Sequence, residues 1–480
     1  MTSDKNIDLK YKIFSLAKNS LSDVVAKIAL TKGLVPKLIW TVIISIAGSY
    51  WFYLISNTIL EFYAYPVTTK NRHNLEKEVK FPAIAFCANN PFTTDFAFDY
   101  LTSLIETFPG SSKFNESYET KFEFIDRYYA QFKYKITTDV YYQLNQTVQQ
   151  LLGVPENQFF LSCMFKGIKC RAENLEWFFS WKYGNCFSFN SNSSIKTSHP
   201  DSALVVELFN GIIGTSKSLN PGTGFHIMIY NYTENMKFNY YFETHSILTG
   251  TETNIAIKRT FRNKLPKPYS ECTLDTNAEK NVINKTRLYY DRFLREGIKY
   301  KQLHCFRTAY RLNTYRKCGC MVISGDVDGV TKMCVTHEEI DCDAESFYTD
   351  FILNKFHGEY DEDCPLECYR NVFDLTMTML SYPSRNYASR LLRKLGNFDM
   401  NSSRENLTVS NIRESVAKVN LYYSDLEYGI LEEVATFSFI DLLSNVGGTL
   451  GLLLGMSLLS LLEIIEFLVI IINHYFKRLD

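Results

Sequence analysis

The sequence predicts an α+β, disulfide-rich extracellular domain carried on two transmembrane α-helices, and three distributions along the chain predict it. Leu38 to Leu60 is 23 residues without a charge and Leu442 to Leu462 is another 21, each long enough to cross about 30 Å of hydrocarbon. All twelve cysteines, at 87, 163, 170, 186, 272, 305, 318, 320, 334, 342, 364 and 368, lie between those stretches, an even number as an oxidising compartment favours. All seven N-x-S/T sequons, at Asn115, Asn145, Asn192, Asn231, Asn284, Asn401 and Asn406, lie there too, where glycosylation acceptors of an extracellular segment belong.

Taken from the N-terminus, residues 1–37 read as a cytoplasmic segment and 38–61 as the first transmembrane helix. Residues 62–437 read as the extracellular domain, 438–473 as the second transmembrane helix with a pore and selectivity segment, and 474–480 as a cytoplasmic tail. Seven lysines against three aspartates precede the first span, and Lys477-Arg478 follows the second, so the positive-inside bias puts both termini in the cytoplasm of a two-pass plasma-membrane protein. The first span is too long and too far from the N-terminus to be a cleaved signal, and it reads as an anchor. A total of 51 basic against 52 acidic residues leaves no basic surplus for nucleic acid. A zinc reading of Cys318-Gly-Cys320 with Cys334 and Cys342 competes with disulfides, but such sites belong to a reducing interior.

Between the spans no repeat or low-complexity linker interrupts what reads as one stapled body. Phe225 to Tyr232 and Cys186 to Phe189 are rich in aromatic and β-branched residues and read as strands. Phe122 to Lys133, Asn284 to Tyr300 and Ser346 to Lys355 read as helices. An aromatic fraction of 15% suits a thick core. No G-x-S-x-G or HExxH motif occurs there, which argues against an enzyme, and no metal or organic cofactor is expected. The eight histidines are scattered and read as ordinary surface or core residues.

The second span is the unusual element. On an ideal helix Asn445, Leu452, Met456 and Glu463 fall within about 20° of one line, while Gly447, Gly451 and Gly455 form a small-residue seam along which another helix can approach. One account has the glutamates snorkel to the headgroups and the glycines pack two helices of one chain. The other has a polar stripe lining a water-filled pore built from several copies, since two spans cannot enclose a channel.

Several short motifs in order resemble the degenerin/epithelial sodium channel superfamily, trimeric cation channels that include acid-sensing and peptide-gated members. They are Phe81-Pro-Ala-Ile-Ala-Phe-Cys87, Gly184-Asn-Cys186-Phe-Ser-Phe-Asn190, Leu265-Pro-Lys-Pro-Tyr-Ser-Glu-Cys272, Cys318-Gly-Cys320, and Gly447-Gly448 through Gly455-Met-Ser457 to Glu463. The resemblance implies a palm, thumb and finger-like ectodomain with disulfides Cys87–Cys186, Cys163–Cys170, Cys272–Cys368, Cys305–Cys364, Cys318–Cys342 and Cys320–Cys334. A further thumb bridge of related chains is replaced together at Ala309 and Glu362. The resemblance also implies a selectivity filter at Gly455, Met456 and Ser457, and a pore lined by Asn445, Thr449, Leu452, Glu463 and Glu466. Ser444 stands at the degenerin gating position; the alternative for it is a helix cap or a bond to a backbone carbonyl.

Three departures shape the expected function. Ser22-Asp23 stands where most members have a His-Gly gating pair, Met456 stands where a smaller residue is usual, and Tyr63-Ala-Tyr65-Pro66 replaces adjacent histidines of acid-sensing members. Asp341, Asp343, Glu345 and Asp350 form either a thumb carboxylate cluster or a solvated acidic face. The branch resembled most is the acid-sensing and peptide-gated one, including the peptide-gated sodium channels of cnidarians such as Hydra. It implies a ligand-gated sodium channel, with calcium permeation left open, opened by an extracellular RFamide-like neuropeptide and partnered by homologous subunits and the lipid bilayer. A proton-gated or constitutive channel of the same family is the alternative. A non-conducting two-span glycoprotein receptor for lipid is the alternative of another class, and it has no need of a polar stripe.

Overall fold

The computed structural model describes residues 31–117, 120–180, 182–198, 203–212, 218–232, 244–274, 300–320, 332, 334, 336–346, 364–395, 409–457, 460, 462, 465 and 469. Ser22, Asp23, Asn284, Asp350, Glu362, Asn401, Asn406, Glu463 and Glu466 therefore lie outside the described residues, as do nearly all of the expected helices at Asn284 to Tyr300 and Ser346 to Lys355. The chain divides into two units. One comprises residues 1–70, 267–270 and 433–480, the other residues 71–266 and 271–432.

The elements run α1 (Leu34–Tyr63), β1 (Val67–Leu75), β2 (Val79–Lys80), β3 (Ala83–Ala88), α2 (Asp95–Ile105), α3 (Lys121–Gln143), α4 (Gln146–Leu152) and α5 (Glu156–Phe159). There follow β4 (Phe160–Phe165), β5 (Ile168–Lys169), β6 (Leu175–Ser180), β7 (Gly184–Phe189), β8 (Ser194–Ile195), β9 (Leu204–Phe209), β10 (Gly224–Tyr230), β11 (Thr244–Leu248) and β12 (Thr251–Asn263). The last are α6 (Gln302–Cys318), α7 (His337–Ser346), β13 (Tyr369–Ser381), α8 (Arg385–Leu395), α9 (Val409–Arg413), β14 (Val416–Ala435) and α10 (Phe439–Leu454).

The second unit is built on two sheets. One has the order β13-β12-β14-β9-β4-β5, with β1 also beside β14, and the other the order β11-β10-β3-β7-β6. β12 and β14 run parallel, so the chain between them must cross over rather than turn back in a hairpin. In β12 the side chains of Thr253, Ile255 and Ile257 are buried while those between them are half-buried, the period of two of a sheet with one face in the core. β3 (Ala-Ile-Ala-Phe-Cys-Ala) and β7 are buried along their whole length, which is why their sequences run apolar rather than alternate. Phe86, Phe187, Phe189, Phe225, Leu204, Val206, Val419 and Leu421 share one core. The expected strands at Phe225 to Tyr232 and Cys186 to Phe189 become β10 and β7.

A second core joins α2, α3 and α4 through Phe98, Leu101, Phe124, Tyr129, Ile136 and Leu152. α3 extends the helix expected at Phe122 to Lys133 by ten residues at its C-terminal end, to Gln143. Its start is fixed by a capping box: Thr120 Oγ1 accepts from Glu123 N at 3.2 Å while Glu123 Oε2 accepts from Thr120 N at 3.0 Å, satisfying two donors that a helix N-terminus otherwise leaves orphaned.

Disulfides join Cys87 to Cys186, Cys163 to Cys170, Cys272 to Cys368, Cys305 to Cys364, Cys318 to Cys342 and Cys320 to Cys334, so the zinc reading is overturned by the bonding of its four sulfurs in pairs. Around α6 and α7, Cys320, Cys334 and Ile340 form a small core of their own. The acidic residues there do not share one face. Asp341 pairs with Lys135 at 3.1 Å, whereas Asp343 is buried and accepts from the Tyr310 hydroxyl, which bonds its carbonyl at 3.3 Å.

Candidate functional site: the membrane helices and their junction

α1 is 30 residues long and contains an 18-residue stretch with a mean hydropathy of 1.8, and it is the only helix among the described residues long and apolar enough to cross a membrane. At 1.5 Å per residue it reaches about 45 Å. Its side chains are exposed, Leu38 at 57%, Ile46 at 66% and Phe52 at 68%, as suits a surface solvated by lipid rather than water. Within the first unit α1 packs against α10.

Over 438–473, expected as a transmembrane helix with a pore and selectivity segment, the described residues are helical only in part. α10 spans 16 residues and ends at Leu454, about 24 Å long and short of the hydrocarbon thickness. Gly455 follows in the left-handed conformation, φ 62°, its N–H bonding Gly451 O at 3.0 Å. This is the αL stop that glycine makes without Cβ strain. Residues 455–457 are non-helical. Ser457 Oγ then accepts from Ser460 N at 3.2 Å while Ser457 N donates to Ser460 Oγ at 3.3 Å, a reciprocal pair of the capping-box kind. The stripe expected to run from Asn445 to Glu463 is consequently broken: Asn445 and Leu452 share a helix, and Met456 does not share it.

On α10 itself, Ser444, Asn445, Gly448 and Gly451 are exposed together with the apolar Leu443 and Leu452, the latter at 85%, whereas Leu450 is buried. Thr449 turns its hydroxyl back to donate to Asn445 O at 2.8 Å, leaving only oxygen lone pairs to offer outward. A methyl added at Gly447, Gly448 or Gly455 would meet nothing within 4 Å, so among the described residues these glycines do not serve packing inside the chain. The N-cap is Ser438, whose Oγ accepts from Asp441 N at 3.1 Å. Ser444 is six residues into the helix and is not its cap.

The junction after α1 holds contacts that sequence reasoning missed. Tyr65, with φ 48°, meets Tyr269 edge-on with ring centroids 5.4 Å apart, and Thr436 N donates to Pro66 O at 2.9 Å. Within the second unit, Glu76 pairs with Arg259 at 2.5 Å and His73 on β1 meets Glu427 on β14 at 2.6 Å. Only the spacing of opposite charges on two strands could have hinted at the last, and two strands 340 residues apart in number give no such spacing.

The family model described as amiloride-sensitive sodium channel matches residues 17–467. The chain is 28% identical over 340 residues to the epithelial sodium channel subunit gamma of Xenopus laevis, 68% of this chain but 48% of that protein, so it spans about half the length of that relative. It is 23% identical over 465 residues to the bile acid-sensitive ion channel of Mus musculus, covering 92% of this chain and 84% of that one. It is 26% identical over 336 residues to degenerin del-1 of Caenorhabditis elegans, 66% of this chain and 43% of that protein. A family match across nearly the whole length, over a cysteine-paired ectodomain and an apolar anchor, has one meaning: the chain belongs to the amiloride-sensitive sodium channel family, within the degenerin/epithelial sodium channel superfamily.

Proposed function

We propose that the chain is one subunit of a trimeric, sodium-permeable cation channel of the plasma membrane, crossing twice with both termini cytoplasmic and opened by an extracellular peptide. The observation that carries the pore is the exposure of Ser444, Asn445, Gly448 and Gly451 on α10, which runs into the non-helical Gly455-Met456-Ser457. A single chain leaves that surface uncovered. Surrounding an axis with copies of it supplies both a neighbour for the glycines and a common water path for Asn445 and Thr449. Residues 455–457 form the constriction in this reading. Glu463 and Glu466 add carboxylates that draw cations toward the cytoplasmic side, and Ser22-Asp23 tunes gating from within. Homologous subunits and an RFamide-like peptide are the partners.

Proton gating is the second reading, favoured by one observation, the His73–Glu427 contact, which is an ion pair only while the imidazole carries a second proton. Recording from cells that express the chain alone and with homologous subunits separates these readings. Amiloride-blocked sodium current evoked by amidated peptide at constant pH supports the first, and current evoked only by acid supports the second. Absence of current in every combination, with surface expression verified, points to a non-conducting receptor. Single-molecule bleaching that finds monomers or tetramers at the surface ends the trimer.

A further inference from the structure

The C-terminal half of α3 is enclosed on its charged side as well as on its apolar one. Lys135, Ile136, Thr137, Asp139 and Val140 are all buried. Ile136 and Val140 meet the apolar core shared with α2 and α4. Lys135 and Asp139 are 6% and 8% exposed, and at a spacing of four they lie one turn apart on a common side of the helix. Charges so deep are costly unless they are paired.

Lys135 finds its counter-charge on another helix. Its Nζ lies 3.1 Å from Asp341 Oδ1 of α7 and 5.2 Å from the centre of the Phe108 ring. The two ends of this pair are unlike, because the lysine side chain is 8% exposed and the aspartate side chain 65%. Water can take over Asp341 at little cost, but it cannot reach Lys135 to do the same. α7 is itself fastened to α6 by Cys318–Cys342, by the Tyr310 hydroxyl donating to Asp343 O at 3.3 Å, and by Thr314 Oγ1 and Ser346 Oγ at 3.2 Å. Movement of α7 away from α3 therefore carries α6 with it, and it strands a buried ammonium unless a second anion is within reach. Asp139 is such an anion. It accepts from Gln143 Nε2 at 2.5 Å and from the Tyr100 hydroxyl at 3.5 Å, both of them donors without charge.

We propose that Lys135 is a two-position latch. Paired with Asp341 it docks α6 and α7 on α3; paired with Asp139 on its own helix it keeps a counter-charge while those two helices come away. Neither state leaves the ammonium bare, so the joint opens without the cost of an unpaired buried charge. The latch belongs to the second unit alone and stands apart from conduction.

Hydrogen exchange and melting of the purified full-length chain in lipid nanodiscs test it, with the amides of β12 as the reference for intact folding. Asp341→Asn should raise exchange of the α7 amides on the order of tenfold, leave β12 unchanged and lower the melting midpoint little, because Asp139 takes the lysine. Asp139→Asn alone should leave α7 docked and its exchange unchanged. The two together should lower the midpoint by several times the sum of the single shifts, since the buried ammonium then has neither carboxylate. Adding Lys135→Met to that combination should restore the midpoint, and it should restore expression if the double variant does not fold. Unchanged α7 exchange in Asp341→Asn overturns the latch. Additive single shifts, or a loss in Asp341→Asn as large as in the combination, overturn its second position, as does a triple variant no more stable than the double.

Discussion

The cysteine-stapled unit and the membrane unit are completed in different ways. In the first, aromatic side chains such as Phe81, Phe92, Phe124 and Phe225 are each 1% exposed or less, six disulfides cross-link the chain, and buried groups such as Glu207 are bonded from within by the Ser162, Tyr382 and Tyr387 hydroxyls. In the second, apolar α1 side chains, a glycine-bearing helix face and a non-helical tripeptide all stand open. Water-driven burial finishes the first region inside one chain. In the reading proposed above, the second has only lipid and other copies to finish it, and packing there comes from close approach of small residues. Substitutions should therefore act through stability in the one and through conduction in the other.

The largest test of that contrast is the longest staple. Cys87 and Cys186 close a loop of 99 residues while Cys163 and Cys170 close one of 7. Chain-entropy arguments make the first worth about 4–5 kcal/mol and the second about 2. Replacing both cysteines of the longer loop by serine should lower surface expression and the ectodomain melting temperature severely, and replacing the shorter pair should do so mildly. Equal effects would mean that the staples act through native-state geometry instead of loop length.

Next comes Ser444, exposed and without a capping role. If the shut state brings these helices together there, Ser444→Cys modified by a bulky thiol reagent should hold the channel open. A steric penalty of about 3 kcal/mol on the shut form raises the open-to-shut ratio on the order of a hundredfold. Melting of the ectodomain should not move. Verified labelling with full closure between agonist pulses would remove Ser444 from the gate.

A pH effect should appear in stability alone. His226, at about 4 when folded against roughly 6.5 when unfolded, binds fewer protons in the native state. Its contribution is fully present above pH ~6.5 and is lost as pH falls toward 4. The melting midpoint should decline across that window, and His226→Gln should flatten the decline. An unchanged slope would assign it to carboxylates elsewhere.

The smallest effect crosses between the regions. Ser438→Ala removes the α10 cap and should cost about 1 kcal/mol, seen as altered gating with unchanged ectodomain melting. A fall in melting instead would show that the cap supports both regions.

Length, charge distribution and the order of short motifs made the first span, the central strands and the family legible, because each is a local property of the chain. The interruption after Leu454 was not read, although its signs were present in Gly455 and in the Ser-x-x-Ser of Ser457 to Ser460. Apolar periodicity extrapolates smoothly through a glycine and cannot tell a helix from a short extended link. Tyr65 with Tyr269, and His73 with Glu427, join residues far apart in number, and no residue type or spacing announced them. Asp343 shows the converse. With its neighbours it read as part of a thumb carboxylate cluster or of a solvated acidic face, yet the helix turns it inward to the Tyr310 hydroxyl.

Among the described residues, the hydrogen bonds at the end of α10 close between residues 451 and 460 of one chain: Gly455 N to Gly451 O, Ser457 N to Ser460 Oγ, and Ser460 N to Ser457 Oγ. Nothing in that set waits for another subunit. If copies assemble as proposed above, each carries the bend already bonded within itself, so association becomes the docking of finished parts with no helix to unwind, and the ordering cost falls on folding of the single chain.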